Sequence, residues 1–167
     1  IIYYIFTFLK KQEMKIYKAT LKDIRDLVQL RIDFLIMDHG SLSDEKESMI
    51  RNQSKEYFEK HISAGDFIGA IAKDEKGEIA SAAFLSIQER PANPSFITGM
   101  TATLLNVITY PEYRRKGIAT QVIKFLIEEA ELKRISSIDL LATEQGKSLY
   151  EKLGFSTPNY TAMRLKL

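Results

Sequence analysis

The sequence predicts a single α/β domain, and three observations predict it. Short β-branched apolar runs alternate along the chain with longer stretches whose apolar residues recur at helical spacing. A chain of 167 residues, 45% hydrophobic and 28% charged, can bury one real core and is neither disordered nor fibrous in composition. No internal repeat, low-complexity tract or long linker divides it into two units.

Composition excludes several functions. No apolar run approaches the roughly 20 residues that span a bilayer, so no membrane partner is expected. Cysteine is absent, which removes disulfides, thiolate zinc sites and a Cys nucleophile together and suits a cytoplasmic location. A formal net charge of +2 is too small to argue for a nucleic-acid binder. Two histidines allow at most a sparse metal site, and no metal is expected.

Residues 1–13, IIYYIFTFLKKQE, stand apart from the rest of the chain. Their apolar stretch precedes the Lys10-Lys11 pair, the reverse of a secretory signal. Met14 reads as a natural start, so 1–13 is an apolar extension, either non-native upstream sequence or a segment that packs on the domain or on a second copy. The domain proper is 14–167. Ile16 and Tyr17 give a first strand. Thr20 with Asp23 has capping-box spacing, and Ile24, Leu27, Val28, Arg31 and Leu35 form a helical stripe, predicting a helix over 20–36 that breaks at Asp38–Ser41. A more polar helix over 43–62 has Met49, Ile50, Tyr57, Phe58 and Ile62 as its thin apolar side.

Phe67–Lys73 and Glu78–Ile87 read as a hairpin turning at Asp74–Gly77. A proline-bearing loop over 89–95 leads to Thr101–Thr109, a nearly uncharged β-branched run expected to be buried on both faces. Lys116–Lys133 is a strong amphipathic helix, Ser137–Leu141 a short strand, and Thr143–Leu153 a short helix closed by Gly154. Thr161–Leu167 completes the pattern as a final strand.

The chemistry concentrates in one stretch. A buried strand runs through Tyr110-Pro111-Glu112-Tyr113 into Arg114-Arg115-Lys116-Gly117-Ile118-Ala119 and a helix. A helix start leaves N–H groups unpaired and carries partial positive charge. Three basic residues add full charges, and Gly117 removes the side chain that would hold an anion off the backbone. The combination is a cradle for phosphate or pyrophosphate. Neither a P-loop nor a G-x-G-x-x-G fingerprint is present.

Arg114–Ala119 resembles the [QR]-x-x-G-x-[GA] signature of the GNAT superfamily of N-acetyltransferases. Leu149-Tyr150-Glu151-Lys152-Leu153-Gly154-Phe155 is similar to the family's second hallmark, and the element order from Met14 onward suits its fold. The resemblance implies a twisted, mixed, mostly antiparallel sheet of six to seven strands flanked by helices and splayed between the fourth and fifth strands. It implies acetyl-CoA as cosubstrate: pyrophosphate at Arg114, Arg115, Lys116, Gly117, Ile118, Ala119 and Thr120, and the pantetheine arm paired with the backbone of Val107, Ile108 and Thr109. Tyr150 matches the tyrosine that protonates the departing thiolate. Thr143 stands where many relatives have Asn beside the cofactor, and Gly146 where they have Ala.

The fourth strand carries no Asp, Glu or His to serve as base. Asn106 could only hold a water. The resemblance places His39, between the first two helices, and Glu89, at the end of the third strand, where acceptor sites of the family commonly form. They are the candidate catalytic bases, with a water chain as the alternative, while His61, on a polar helix, reads as solvated. Asp38, Asp44 and Glu45 are a lead toward a cationic amine. The function implied is acetyl transfer to a primary amine, on a small molecule or a peptide, in a monomer or homodimer. Two rivals stand beside it: a non-catalytic acyl-CoA-binding module on the same fold, and a polyanion- or membrane-surface binder built on the basic turn.

Overall fold

The computed structural model describes residues 14–166; the expectations placed on 1–13 lie outside the described residues. Five strands form one sheet in the order β1-β2-β3-β4-β5. They are β1 (Lys15–Lys18), β2 (Phe67–Lys73), β3 (Ile79–Glu89), β4 (Met100–Thr109) and β5 (Ser137–Asp139). The first four pair antiparallel, and β5 lies parallel to β4. Helices α1 (Ile24–His39), α2 (Asp44–Ala64), α3 (Ile118–Leu132) and α4 (Glu144–Lys152) flank it.

The sheet is covered on both sides, which explains why β2 and β3 read as nearly continuous apolar runs. On one face Ile68, Leu85 and Leu104 pack against Val122, Ile123 and Leu126 of α3. On the other, Leu27 and Leu30 of α1 and Phe58 of α2 meet Phe67 and Phe84. Phe58, Phe67 and Phe84 form a ring cluster with centroids 5.0–5.4 Å apart. Burial of each such side chain is worth roughly 1.5–3 kcal/mol, and their edge-on contacts add to it.

Several boundaries differ from the sequence expectation for identifiable reasons. Thr20 and Asp23 do form the capping box, but it caps a single 3-10 turn (Leu21–Asp23) that feeds α1. Helix α1 continues through Asp38 and His39 and ends only at Gly40, whose φ of 85° no ordinary residue adopts comfortably. Among the described residues the sheet has five strands rather than six to seven. Residues 161–166 form no strand, because β5 pairs over only three residues and offers no edge long enough to extend. Tyr160, Met163 and Leu165 are accordingly exposed. Nor is β4 buried on both faces throughout: Leu104, Asn106 and Ile108 are buried, but Thr103, Leu105, Val107 and Thr109 are only partly covered. Among the described residues no helix is long and apolar enough to cross a membrane, and no cluster of three or more His, Asp or Glu could hold a metal.

Candidate active site

The site is organised by an irregularity in β4. Pairing with β3 jumps from Leu105↔Phe84 to Ile108↔Ala82, so β4 carries one extra residue there. Asn106 sits at the bulge with φ 56°, a left-handed conformation that asparagine tolerates better than most residues. Both heteroatoms of its buried side chain are engaged: Nδ2 donates to the Leu30 carbonyl at 3.2 Å, and Oδ1 accepts from Arg31 at 3.2 Å. Asn106 thereby ties α1 to the bulge. Across the kink Ser81 Oγ donates to the Ile108 carbonyl at 2.7 Å.

Beyond the bulge, β4 has an open side. β5 pairs with it only at Thr101, Ala102 and Thr103. Toward Val107, Ile108 and Thr109, the strand edge facing away from β3 has no strand partner among the described residues. An extended ligand with amide groups can pair there as an added strand.

The basic turn lies where that edge ends. After Thr109 the chain makes a 3-10 turn over Pro111–Tyr113, then adopts left-handed conformations at Arg115 (φ 62°) and Gly117 (φ 75°) before α3 begins. Gly117 is the N-cap, so α3 lacks the side-chain cap that Ser43 gives α2 and Thr143 gives α4. The N–H groups of Ile118, Ala119 and Thr120 find no acceptor among the described residues. A Cβ built on Gly117 meets nothing within 4 Å, so the space above the turn is open. The first turn of α3 holds no acidic residue. Arg115 and Lys116 stand exposed beside it. Arg114 instead turns back: its Nε donates to the Thr109 carbonyl at 2.9 Å and its guanidinium reaches Met37 Sδ at 3.7 Å. The residues present fit a diphosphate.

Helix α4 packs Leu149 and Tyr150 against the α3-side core. Thr143 Oγ1 accepts from Gly146 N at 3.1 Å, so this hydroxyl is engaged as a helix cap. Tyr150 packs into the α3-side core with its ring edge-on to Phe155 at 5.9 Å. Burial raises its pKa above the ordinary tyrosine value, keeping the phenol protonated. Gly146 permits this packing, since a Cβ there would stand 3.3 Å from the Tyr150 ring.

On the α1–α2 face a cavity of about 320 Å³ opens against β3 and β4. Its apolar lining is Phe58, Phe67, Phe84 and Leu105, and its polar lining is Gln53, Ser54, Tyr57, Ser86, Gln88 and Thr103. Tyr57 Oη and Ser86 Oγ are hydrogen-bonded at 3.1 Å. The one charged lining residue is Arg31. Among the described residues its guanidinium meets Asn106 and the face of Phe34, 5.9 Å from the ring centroid, and no carboxylate. Burial lowers its pKa. In the sequence Arg31 belongs to the apolar stripe of the first helix and has no assigned function; a cation on such a stripe is the only signal that could have found it.

The other sequence candidates lie elsewhere. His39 ends α1 on the surface with Nε2 3.3 Å from Asp38, and Glu89 is exposed at the end of β3; neither lines the cavity. Asp38, Asp44 and Glu45 do not line it either. His61 is not simply solvated: it bonds Asp66 at 2.8 Å and stacks on Tyr57 at 4.2 Å.

Comparison with known proteins bears out the likeness read from the two motifs. The family model of the acetyltransferase (GNAT) domain matches residues 65–157. The "uncharacterized N-acetyltransferase ycf52" of Pyropia yezoensis is 32% identical over 77 residues, 41% of this chain and 44% of that protein, so the matched stretch spans less than half of that relative. A crystal structure from Clostridium acetobutylicum, described as a predicted acetyltransferase with acetyl-CoA, is 28% identical with a TM-score of 0.77, covering 91% of this chain and 96% of that one. A GCN5-related N-acetyltransferase from Ralstonia eutropha shares the fold at 19% identity and a TM-score of 0.75, over 92% of this chain and 99% of its own.

Proposed function

The chain belongs to the GNAT acetyltransferase family, and from that membership we propose that it transfers an acetyl group from acetyl-CoA to a primary amine. The observation that carries this reading is a conjunction: the unpartnered edge of β4 at Val107–Thr109 leads directly to a helix start whose N–H groups are uncapped and flanked by Arg115 and Lys116. Acetyl-CoA supplies the acetyl group as a thioester. In our reading the N–H groups of Ile118, Ala119 and Thr120, with Gly117 leaving room, hold the diphosphate, and the two exposed basic side chains neutralise it. The backbone of Val107, Ile108 and Thr109 aligns the pantetheine arm. Arg114 serves indirectly by fixing the turn to β4, and Thr143 by starting α4.

Tyr150 Oη is the proton donor to the departing sulfur. A phenol held protonated by burial suits that task, because a thiolate of ordinary pKa about 8.5 needs an acid that still carries its proton at neutral pH. The cavity between α1, α2 and the sheet receives the acceptor, reaching β4 at Leu105 beside the open edge. Its lining includes no carboxylate or imidazole, so we assign removal of the amine proton to solvent rather than to Glu89 or His39. A cytoplasmic setting, with cysteine absent from the chain, accords with this reading.

Calorimetric titration with acetyl-CoA, beside Gly117→Glu, tests the proposal. Micromolar-range binding by the wild type that disappears in the variant supports it. A folded wild type that does not bind acetyl-CoA overturns it. The missing base favours one second reading, an acyl-CoA-binding module without turnover; binding with no thiol release across a broad amine panel would select that reading.

A further inference from the structure

We infer that the acceptor is a small primary amine that also carries an anionic group, a carboxylate or a phosphate, recognised by Arg31 in the cavity between α1, α2 and the sheet. The inference rests on the acetyltransferase reading above and narrows it to a substrate class.

The guanidinium itself is the starting point. Arginine has five N–H donors, and Arg31 spends one hydrogen bond on Asn106 at 3.2 Å. Among the described residues its other contact is the Phe34 ring, which faces the charge but accepts no conventional hydrogen bond. A partly buried cation with no carboxylate beside it has lost hydration without regaining a counter-charge. Three other cations are matched: Arg51 pairs with Glu47 at 2.8 Å, Lys73 with Asp26 at 3.2 Å and Lys18 with Glu129 at 2.7 Å. Arg31 alone among these four faces a cavity, and that cavity has no acidic lining residue. The nearby carboxylate on its own helix, Asp33, accepts instead from Gln29 and Tyr110.

The position is held, not incidental. Asn106 is fixed by the Leu30 carbonyl and by its left-handed place in the β4 bulge, so it orients the Arg31 head group beside the strand whose edge is open. Hydroxyls and amides of Ser54, Thr103, Gln53 and Gln88 share the lining and can complete the recognition of anionic oxygens. At about 320 Å³ the cavity suits a small molecule.

The same charge discriminates between acceptors: a purely cationic polyamine, with no anionic group to pair with Arg31, would meet repulsion in the cavity.

The test compares matched amines on the intact protein: O-phosphoethanolamine against ethanolamine, γ-aminobutyrate against butylamine, and phenylalanine against phenethylamine. Thiol release gives turnover, and calorimetry on the CoA-saturated protein gives binding of each amine. Acetyl-CoA affinity is measured separately in every variant. The expected result is at least a tenfold preference, in kcat/KM or in binding, for one or more anionic members over their neutral twins. Arg31→Met should abolish the preference and Arg31→Lys keep part of it, with acetyl-CoA affinity unchanged. Gln53→Glu, at an exposed position that disturbs no core packing, should reverse the preference by placing a carboxylate in the cavity. The phosphate and carboxylate pairs distinguish which anion is read. Neutral amines preferred throughout, an anionic preference that survives in Arg31→Met and Gln53→Glu, or no anionic member binding or reacting would each overturn the inference while acetyl-CoA binding stands. Failure to bind acetyl-CoA would overturn the underlying reading itself, which is a separate result.

Discussion

The two halves of the site are built by opposite strategies. The cradle and the open β4 edge are made of backbone: N–H groups at the start of α3, the edge at Val107–Thr109 that no strand among the described residues covers, and a glycine with open space above it. All of it comes from one continuous stretch of chain between the β4 bulge and Thr120. The cavity is made of side chains from α1, α2, β2, β3 and β4, brought together over long sequence separations. A backbone site accepts one ligand class whatever compact side chains surround it. A side-chain site changes its preference with a single substitution. In the proposed reading the first half takes the common cosubstrate and the second chooses the acceptor.

The contrast is broken most severely at Gly117. Gly117→Glu should weaken acetyl-CoA binding by on the order of a hundredfold or more, since the added carboxylate faces the N–H groups that an anion needs. Gly117→Ala should cost about 1–2 kcal/mol of stability through its left-handed conformation and weaken binding far less. Calorimetry and urea unfolding on the same samples separate these effects; equal loss of binding in both would mean that shape, not charge, governs the cradle.

Tyr150→Phe sharpens the comparison from the chemical side. Removing a proton donor should lower turnover by roughly a hundredfold while acetyl-CoA affinity stays within experimental error. Unchanged turnover would return Tyr150 to a packing role beside Phe155.

Asn106→Ala tests the hinge between the two halves. It strips a donor from the buried Leu30 carbonyl and the acceptor from Arg31, and places alanine at a positive φ. A loss of about 2–3 kcal/mol in urea unfolding is expected, with KM for the acceptor rising more than the acetyl-CoA dissociation constant. Asn106→Gly should recover the backbone part alone.

The smallest effect concerns the scaffold. Tyr113 Oη donates to Asp74 at 2.7 Å, tying the β2–β3 turn to the segment after β4. That hydrogen bond, with burial, pushes Tyr113 up to about 12, and it holds Asp74 below the usual carboxylate range. Because the folded tyrosine keeps its proton longer than an unfolded one of pKa about 10, its contribution is complete below about pH 10 and is lost between there and about pH 12. The Asp74 contribution is complete above about pH 4 and is lost as pH falls through the depressed value. Tyr113→Phe should flatten the alkaline limb of a stability profile followed by circular dichroism. An unaltered limb would assign it to Tyr110, whose pKa burial and Asp33 also raise.

Much of this is legible in the chain. The hairpin at Asp74–Gly77, the amphipathic α3 and its start at Gly117 are local patterns, and they stand where the sequence puts them. Tyr150 is found through its neighbours in a motif. The α1 terminus differs because a polar Asp-His pair looks like a breaker, whereas Gly40 is the residue whose backbone stops the helix. Thr161–Leu167 has strand-like composition, but a strand needs a partner edge, and β5 is only three residues long.

The sequence by itself determined the family and the order of elements from the first strand to α4, because these depend on period and turn chemistry close together in the chain. Only the tertiary structure decided that β4 bulges at Asn106, that Arg31 faces a cavity rather than solvent, and that neither His39 nor Glu89 lines that cavity. Those outcomes depend on which side chains meet across separations of tens of residues. An arginine in a helical stripe reads the same whether it meets water, a carboxylate or a cavity, and packing alone distinguishes them.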